Sequence, residues 1–270
     1  MTLSTTIHST SPAAMQALAC ASCHGALEPD AGTLRCGACG RAYRARAAIW
    51  DFAPEIPPQH GLAQRFMEAP PIARIYERWF RPTLTRLVAP LTYADEERYL
   101  DRWFQPSDGA ILDLACGTGR YTRWLADRTD DRRVLGLDLS LPMLREARRR
   151  ALAEGRTDLV LVRGSALALP VADDSLGAAH SFGALHLFPD AALALAEIGR
   201  TLRRGGSFTC LTTHATASAS GAPLERAFAR VAGLRFFARA EIERWLAAAR
   251  LELLDFTARG RMVLFACRKP

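Results

Sequence analysis

The chain from Ala110 onward alternates short apolar runs with longer amphipathic segments. The apolar runs predict buried strands at residues 111–114, 134–138, 159–163, 177–181 and 207–213. The amphipathic segments predict helices that include residues 120–128, 191–202 and 239–250. Two closing strands, at residues 252–258 and 261–267, are joined tightly at Gly260. Strands that alternate with helices form a parallel sheet with helices on both faces, so the pattern predicts an α/β fold.

Two amphipathic helices are predicted ahead of this sheet, at residues 62–80 and 83–104, where apolar side chains recur at spacings of three and four. The apolar positions of the first helix are Leu62, Phe66, Ile72, Ile75, Tyr76, Trp79 and Phe80. Such stripes usually pack into a core, but here they could also form a lid over an active site. A proline-rich segment that begins at Pro54 indicates a linker before them.

The start of the chain predicts a disordered tail over residues 1–17. The first 19 residues are rich in Ser and Thr and hold no Lys or Arg, whereas a secretory signal begins with basic residues. No apolar run approaches the roughly 20 residues that span a bilayer. The sequence therefore predicts a cytoplasmic protein without a membrane span.

Four of the seven cysteines form two pairs, Cys20-x2-Cys23 and Cys36-x2-Cys39, with twelve residues between the pairs. Two such turns place four thiolates at the corners of a tetrahedron, which predicts a structural Zn²⁺ with no open coordination position. Two disulfides are the alternative, and a cytoplasmic location disfavours them. His24 is adjacent but not needed. Residues 18–53 are therefore predicted to form a zinc ribbon, 54–109 a linker and helical lid, and 110–270 the main domain.

Residues 111–121 join the first predicted strand to the first helix through two glycines. Gly117 and Gly119 permit a sharp turn and let a ligand approach the main chain, and the helix start offers unpaired N–H groups. The dinucleotide fingerprint does not fit, because Thr122 occupies its third glycine position. Asp113 at the strand end would repel a pyrophosphate but suits a ligand that carries an ammonium and a sulfonium group.

This Asp-x-x-x-Gly-x-Gly motif resembles the first motif of the class I S-adenosylmethionine-dependent methyltransferases. The resemblance implies a Rossmann-like sheet of seven strands, mostly parallel, that ends in an antiparallel hairpin. It implies that Asp138, at the end of the second strand, binds both ribose hydroxyls of the cofactor, while Ser140 caps the next helix. The cofactor-binding residues expected on this basis are Asp113, Ala115, Cys116, Gly117, Gly119, Asp138, Leu139, Ser165, Ala166 and Phe182.

Ser165 departs from the family pattern, which usually has an Asp there that binds the adenine amino group. A hydroxyl can accept the same hydrogen bond without charge, so the contact is expected to be weaker.

The segment 183–190 and the Leu-Arg-Arg-Gly-Gly run at 202–206 resemble small-molecule methyltransferases. His186 would lie just past the fourth strand, where a histidine of ordinary pKa, about 6.5, could act as a general base. A structural histidine is the alternative. Tyr76 and His214 are the other catalytic candidates. Methyl transfer is an in-line displacement that needs mostly alignment, so an acceptor that is already nucleophilic requires no base.

The order of the cysteine pairs, Ile75-Tyr-Glu-Arg78, the glycine motif and His180-Ser-Phe-Gly resembles the uncharacterised methyltransferases of plant chloroplasts and their bacterial relatives. Gly177 departs from them, because they have an acid there. The predicted function is methylation of a small, apolar or aromatic metabolite at oxygen or carbon. One alternative is an RNA methyltransferase, since a zinc ribbon also precedes this fold in the guanine N1 methyltransferases of ribosomal RNA. A second is a cyclase or scaffold that binds the cofactor without methylating.

The net charge of +7 would also suit RNA. However, Lys269 is the only lysine beside 34 arginines, which indicates a general bias towards arginine rather than a selected binding face. The densest basic run, residues 145–150, falls on a predicted helix and is typical of a solvated face.

Overall fold

The computed structural model describes residues 13–53, 70–215 and 235–270. The first part contains α1 (Ala13–Gln16), β1 (Leu27–Asp30), β2 (Thr33–Cys36), β3 (Ala42–Arg46) and β4 (Ile49–Asp51). A helical part follows, with α2 (Pro70–Ile75), a π-helix turn (Tyr76–Phe80), α3 (Arg81–Val88) and α4 (Tyr93–Trp103). The remaining elements are β5 (Ala110–Leu114), α5 (Arg120–Arg128), β6 (Val134–Asp138), α6 (Leu141–Ala153), β7 (Val160–Arg163), β8 (Leu176–Phe182), α7 (Ala191–Thr201), β9 (Leu202–Thr213), α8 (Arg239–Ala248), β10 (Glu252–Arg259) and β11 (Met262–Arg268).

Seven strands form the main sheet, in the order β7-β6-β5-β8-β9-β11-β10. The first five are mutually parallel, and β11 and β10 close the sheet as an antiparallel hairpin. All five residues of β5 are buried, as expected of a central strand with helices on both faces. The structure therefore confirms the predicted Rossmann-like α/β fold. The loops after β5, β6, β7 and β8 all leave the same edge of the sheet, where ligands of such folds bind.

The N-terminal ribbon continues this sheet. Strands β1 to β4 pair in sequence as antiparallel neighbours, and β4 then pairs in parallel with β7. Apolar ribbon residues, among them Leu34, Tyr43 and Phe52, share one buried cluster with Leu137 and Val162 of the main sheet. The ribbon and the main sheet therefore share one buried core. Pro54, Pro57 and Pro58 themselves lie outside the described residues.

Part of the predicted disordered tail is folded. Residues 13–16 form α1, Ala14 and Ala17 are buried, and the N–H of Ala172 donates to the carbonyl of Ala17 at 2.9 Å. The small alanine side chains let this segment pack directly against the main domain, so the prediction is corrected for residues 13–17. Residues 1–12 lie outside the described part.

The two predicted lid helices have different bounds in the structure. The helical segment that begins at Pro70 runs through the π-helix turn to Val88, and α4 begins only at Tyr93. A capping box interrupts the predicted 83–104 helix, because Thr92 accepts from the N–H of Asp95 and the Asp95 carboxylate accepts from the N–H of Thr92. Leu62 and Phe66 lie outside the described residues.

Among the described residues, none of the helices combines the length and the apolar character needed to cross a membrane.

Candidate active site and metal centre

The glycine loop after β5 adopts the backbone conformation that its sequence favours. Gly117 and Gly119 have positive φ angles, of 54° and 76°, which glycine tolerates and other residues rarely adopt. Ala115, at a φ of 57°, also lies in this region, which alanine does not favour. Gly119 is the N-cap of α5, and a Cβ there would lie 3.0 Å from the Cβ of Ala147 on α6. The N–H of Cys116 donates to the carbonyl of Leu137 at 3.0 Å, so the loop is tied to β6. The loop is thus held at the start of α5, where a helix N-terminus offers N–H groups to a ligand.

Asp138 lies at the end of β6 and holds this loop in place. One carboxylate oxygen accepts from the N–H of Gly117 at 2.8 Å, and the other accepts from the N–H of Ser140 at 2.8 Å. A carboxylate has about four lone-pair positions, so this orientation is compatible with hydrogen bonds to two ribose hydroxyls. Ser140 also caps α6, as the sequence predicts.

Asp113 is buried and accepts a hydrogen bond from the Thr122 hydroxyl at 2.6 Å. Burial raises the pKa of the Asp113 carboxyl to about 7, and the nearby charge of Asp138 adds to this effect. A bound cation would favour the ionised carboxylate, because an opposite charge lowers a carboxyl pKa. The environment therefore fits the ammonium or sulfonium group inferred for the ligand.

The predicted adenine-side residues follow the neighbouring strands at the same edge. Leu139 follows β6, and Ser165 and Ala166 follow β7. The Ser165 hydroxyl accepts from the N–H of Leu167 at 3.1 Å, so it shapes its own loop. The N–H of Gly164 donates to the carbonyl of Asp138 at 3.1 Å, which ties the two loops together.

Arg163 connects the ribbon to these loops, and the sequence did not indicate it. Its Nη1 lies 3.3 Å from both carboxylate oxygens of Asp51 in β4, and its Nε donates to the carbonyl of Leu139 at 3.2 Å. The N–H of Phe52 donates to the carbonyl of Arg163 at 2.8 Å. One arginine therefore contacts both the ribbon and the loop beside Asp138.

The three catalytic candidates lie in different surroundings. His186 is buried, with Nδ1 3.5 Å from the Thr212 hydroxyl, and burial lowers its pKa to about 4. His214 is held at the β9–β11 border, where its Nδ1 lies 3.2 Å from the carbonyl oxygen of Phe237. Tyr76 reaches the glycine loop, since its Cε1 lies 3.9 Å from the position that a Cβ on Gly117 would occupy. Burial raises the pKa of Tyr76 to about 12, although the charge of Arg81 opposes this rise.

Sequence reasoning missed a buried polar cluster next to Tyr76. It consists of Arg81, Glu96, Tyr121 and His180, in which Arg81 and Tyr121 both donate to Glu96. The ring of His180 packs against those of Tyr121 and Phe182, with centroids 4.9 and 4.1 Å away. Phe182 was predicted as a cofactor residue and lies in this cluster. Arg81 falls between the two predicted helices, so neither helix prediction included it.

The four paired cysteines come together as predicted. Their sulfur atoms all lie within 4.8 Å of one another, and the closest pairs are Cys20–Cys39 at 3.6 Å and Cys23–Cys36 at 3.5 Å. Thiolates at about 2.3 Å from one zinc ion are about 3.8 Å apart, so the set fits a tetrahedral site. The site is closely enclosed, because a Cβ on Gly25 would lie 3.1 Å from the Cys36 sulfur. The donors are four thiolates, the softest ligands in proteins, which suits zinc.

Comparisons with known proteins agree with this arrangement. Residues 111–206 match the family described as methyltransferase domain, and residues 12–46 match the family described as Trm112p-like protein. An uncharacterized chloroplastic methyltransferase of Arabidopsis thaliana is 30% identical over 192 residues, covering 66% of this chain and 53% of the relative. The ubiquinone/menaquinone biosynthesis C-methyltransferase of Paracoccus denitrificans is 43% identical over 114 residues, covering 40% of this chain and 44% of the relative.

A solved structure extends the likeness to three dimensions. A chain from the complex of the Haloferax volcanii Trm112 methyltransferase activator has a TM-score of 0.58 and 21% identity, covering 74% of this chain and 97% of that chain. At this identity the likeness shows the fold alone. The present chain spans about half the length of the curated relatives it matches. Taken together, the glycine loop, the seven-stranded sheet and both family matches show that the chain carries a class I S-adenosylmethionine-dependent methyltransferase domain, preceded by a Trm112p-like ribbon with four clustered cysteines.

Proposed function

We propose that this protein transfers a methyl group from S-adenosylmethionine to oxygen or carbon of a small, apolar or aromatic acceptor. The observation that carries the proposal is the position of Asp138, whose two carboxylate oxygens are fixed by Gly117 and Ser140 beside an open glycine loop. This arrangement can bind a ribose and the polar end of a methionine at adjacent points. The Paracoccus relative named above is a quinone-pathway C-methyltransferase by its name, which supports a small aromatic acceptor.

The cofactor, when bound, supplies the methyl group and a positive sulfonium whose charge disappears on transfer. The protein's task is therefore alignment and exclusion of water, which can contribute about 7–11 kcal/mol. The helices α2 to α4 are proposed to cover the cofactor site, because Tyr76 lies close to Gly117: its Cε1 is 3.9 Å from the position that a Cβ there would occupy. His186 is the proposed base for an acceptor that must lose a proton. The cysteine set is proposed to hold a structural Zn²⁺, and the cytoplasmic location stays a prediction.

An RNA substrate is the second candidate, and the Trm112p-like match at residues 12–46 is the observation that favours it. A protein that reads RNA through phosphate contacts loses affinity steeply as salt rises. We favour the small acceptor because aromatic side chains, including Tyr76, Tyr121 and Phe182, lie at the carboxyl ends of β5 and β8, and many of the exposed arginines are paired with acids, as Arg35 is with Asp30.

The test of the proposed function has two parts. Calorimetry should show binding of S-adenosylhomocysteine. Incubation with S-adenosylmethionine and a panel of phenols, quinols, tRNA and ribosomal RNA should then release S-adenosylhomocysteine with a phenol or quinol. Release with RNA, together with a steep salt dependence of RNA binding, would favour the second candidate. Cofactor binding without release from any acceptor would favour a cyclase or scaffold.

With an acceptor from that screen that is methylated at carbon, and so must lose a proton to a base, His186→Ala is expected to lower turnover about 10²–10⁴-fold, the usual contribution of a general base. Because burial lowers the pKa of His186 to about 4, the neutral form is present throughout pH 6–9. The rate should therefore be flat in this range and fall only in acid, instead of rising through pH 6.5. Measuring initial rates from pH 5 to 9 checks this expectation.

Thr212→Val separates a catalytic role of His186 from a structural one. It removes the hydroxyl beside Nδ1 of His186 but leaves the imidazole in place. If His186 only stabilises the fold, both variants should lower the melting temperature while turnover per folded molecule stays near the wild-type value. That result would remove His186 from the chemistry.

A further inference from the structure

A π-helix turn brings the side chains of Tyr76 and Arg81 close to the loops that follow β5 and β8. The N–H of Arg81 donates to the carbonyl of Tyr76, five residues earlier, whereas an α-helix bonds to the residue four earlier. The wider turn places Tyr76 and Arg81 one above the other. Turns of this kind are rare and are frequent at functional sites.

Each of the two side chains faces a glycine at the binding edge of the sheet. Tyr76 faces Gly117 after β5, as described. Nε and Nη2 of Arg81 both lie 3.8 Å from the position that a Cβ on Gly183, after β8, would occupy. Strands β5 and β8 are neighbours, so Tyr76 and Arg81 cover adjacent strand ends. Because neither glycine has a Cβ, room for about one methyl group remains beneath each of the two side chains, and we place the acceptor at this point.

Arg81 carries a positive charge into this space although its side chain is only 11% exposed. Nη2 donates to Glu96 at 2.8 Å, and the Tyr121 hydroxyl donates to the same carboxylate. The rings of Tyr93 and Tyr121 flank the guanidinium, with centroids 5.0 and 5.6 Å from Cζ. A guanidinium has five N–H donors, and the Glu96 carboxylate accepts from the Tyr121 hydroxyl as well as from Arg81. Arg81 therefore retains donors for a second anion.

His180 provides the second polar group. It is fully buried, and its Nδ1 lies 3.1 Å from the Thr209 hydroxyl. Nε2 has no hydrogen-bond partner within the part of the chain that the structure describes. His180 pairs with Asp113 in the sheet register, so both side chains lie on the same face, beneath the crevice. A buried polar atom without a partner is costly, and a ligand atom would satisfy it.

We propose that Arg81 and Nε2 of His180 bind an ionised oxygen of the methyl acceptor, so that the acceptor is a phenolate, enolate or carboxylate and not a neutral molecule. The proposal rests on the proposed function and adds the substrate class. The acceptor loses its proton to water when it ionises. Its electron pair then forms the bond to the methyl carbon, and the pair of the broken carbon–sulfur bond stays on sulfur. Attack through a conjugated carbon also requires that carbon to lose its proton, which His186, the proposed base, accepts.

The test is calorimetry on the full chain saturated with S-adenosylhomocysteine, with benzoate as the charged probe and benzamide as its neutral counterpart. Benzoate is expected to bind at least ~10-fold more tightly, as charge-assisted hydrogen bonds require. The double variant Arg81→Gln/Glu96→Gln removes both charges at similar size and leaves no unpaired buried ion. It should lose the preference for benzoate while its affinity for S-adenosylhomocysteine stays the same.

The matched control is Arg128→Gln/Asp101→Asn, which removes an exposed ion pair between α5 and α4 and should keep the preference. The proposal would be overturned if the wild type bound the two probes equally or bound neither. It would also be overturned if the double variant still preferred benzoate. A fall in the double variant's affinity for S-adenosylhomocysteine would overturn it too, because Arg81 would then bind the cofactor's own carboxylate. A wild-type protein that does not bind S-adenosylhomocysteine at all would overturn the proposed function itself.

Discussion

Removal of the metal from the cysteine site is expected to destabilise the whole chain and not the ribbon alone. Structural zinc contributes roughly 10–16 kcal/mol of apparent binding free energy in small zinc domains, comparable with the total stability of a protein, about 5–15 kcal/mol. Because β4 pairs with β7 and the ribbon shares the main core, this loss is transmitted to the sheet. Cys20→Ser/Cys36→Ser should unfold in one transition with a melting temperature lower by roughly 10 °C or more.

Elemental analysis and scanning calorimetry measure this outcome, with one zinc per wild-type chain expected. His24→Asn is the control, since His24 adjoins a ligand and has a φ of 55°, which asparagine tolerates; it should keep the metal and the melting temperature. A double-serine variant whose main transition stays at the wild-type temperature would show that the two parts are independent after all. A wild-type protein free of zinc would contradict the metal assignment.

Asp138→Ala is expected to weaken binding of S-adenosylhomocysteine by about 10–150-fold. Charge-assisted hydrogen bonds of a carboxylate contribute about 1.5–3 kcal/mol, and each 1.4 kcal/mol corresponds to a factor of ten. The variant also releases the N–H groups of Gly117 and Ser140, which loosens the loop and acts in the same direction. Calorimetric titration at pH 7 measures the change.

The matched control is Asp190→Ala, which removes another carboxylate that accepts from a backbone N–H, at the start of α7. It should lower the melting temperature slightly and leave cofactor affinity unchanged. An Asp138→Ala protein that binds S-adenosylhomocysteine as tightly as the wild type would exclude Asp138 from the ribose site.

The sequence predicted the main sheet and the cysteine cluster because both have strong local signals. Buried parallel strands appear as continuous apolar runs, and two Cys-x2-Cys pairs can converge only in a few geometries. The glycine loop was equally clear, since Gly117 and Gly119 do adopt the positive φ angles that glycine makes easy.

The features that were not predicted from the sequence depend on contacts between segments that are distant in the chain. Strand β4 has three residues, Ile49–Asp51, too few for a period-two pattern, and its pairing with β7 is accompanied by an ion pair between Asp51 and Arg163. The π-helix turn breaks the 3.6-residue period on which helix prediction rests, so Arg81 was assigned to neither lid helix. His180 lies in a predicted strand, and the contacts that make its surroundings polar come from Arg81 and Tyr121, which are distant in the sequence.

The contact of Arg163 with both Asp51 and Leu139 has a thermodynamic consequence. If a metal ion orders the ribbon as far as Asp51 and a bound nucleoside orders Leu139, both ligands favour the same arrangement of the Arg163 guanidinium. Two ligands that stabilise a common arrangement are linked, and each must raise the affinity of the other by the same factor. Occupancy of the cysteine site would then affect affinity at the cofactor site, so a chain without metal would also bind its nucleoside less tightly.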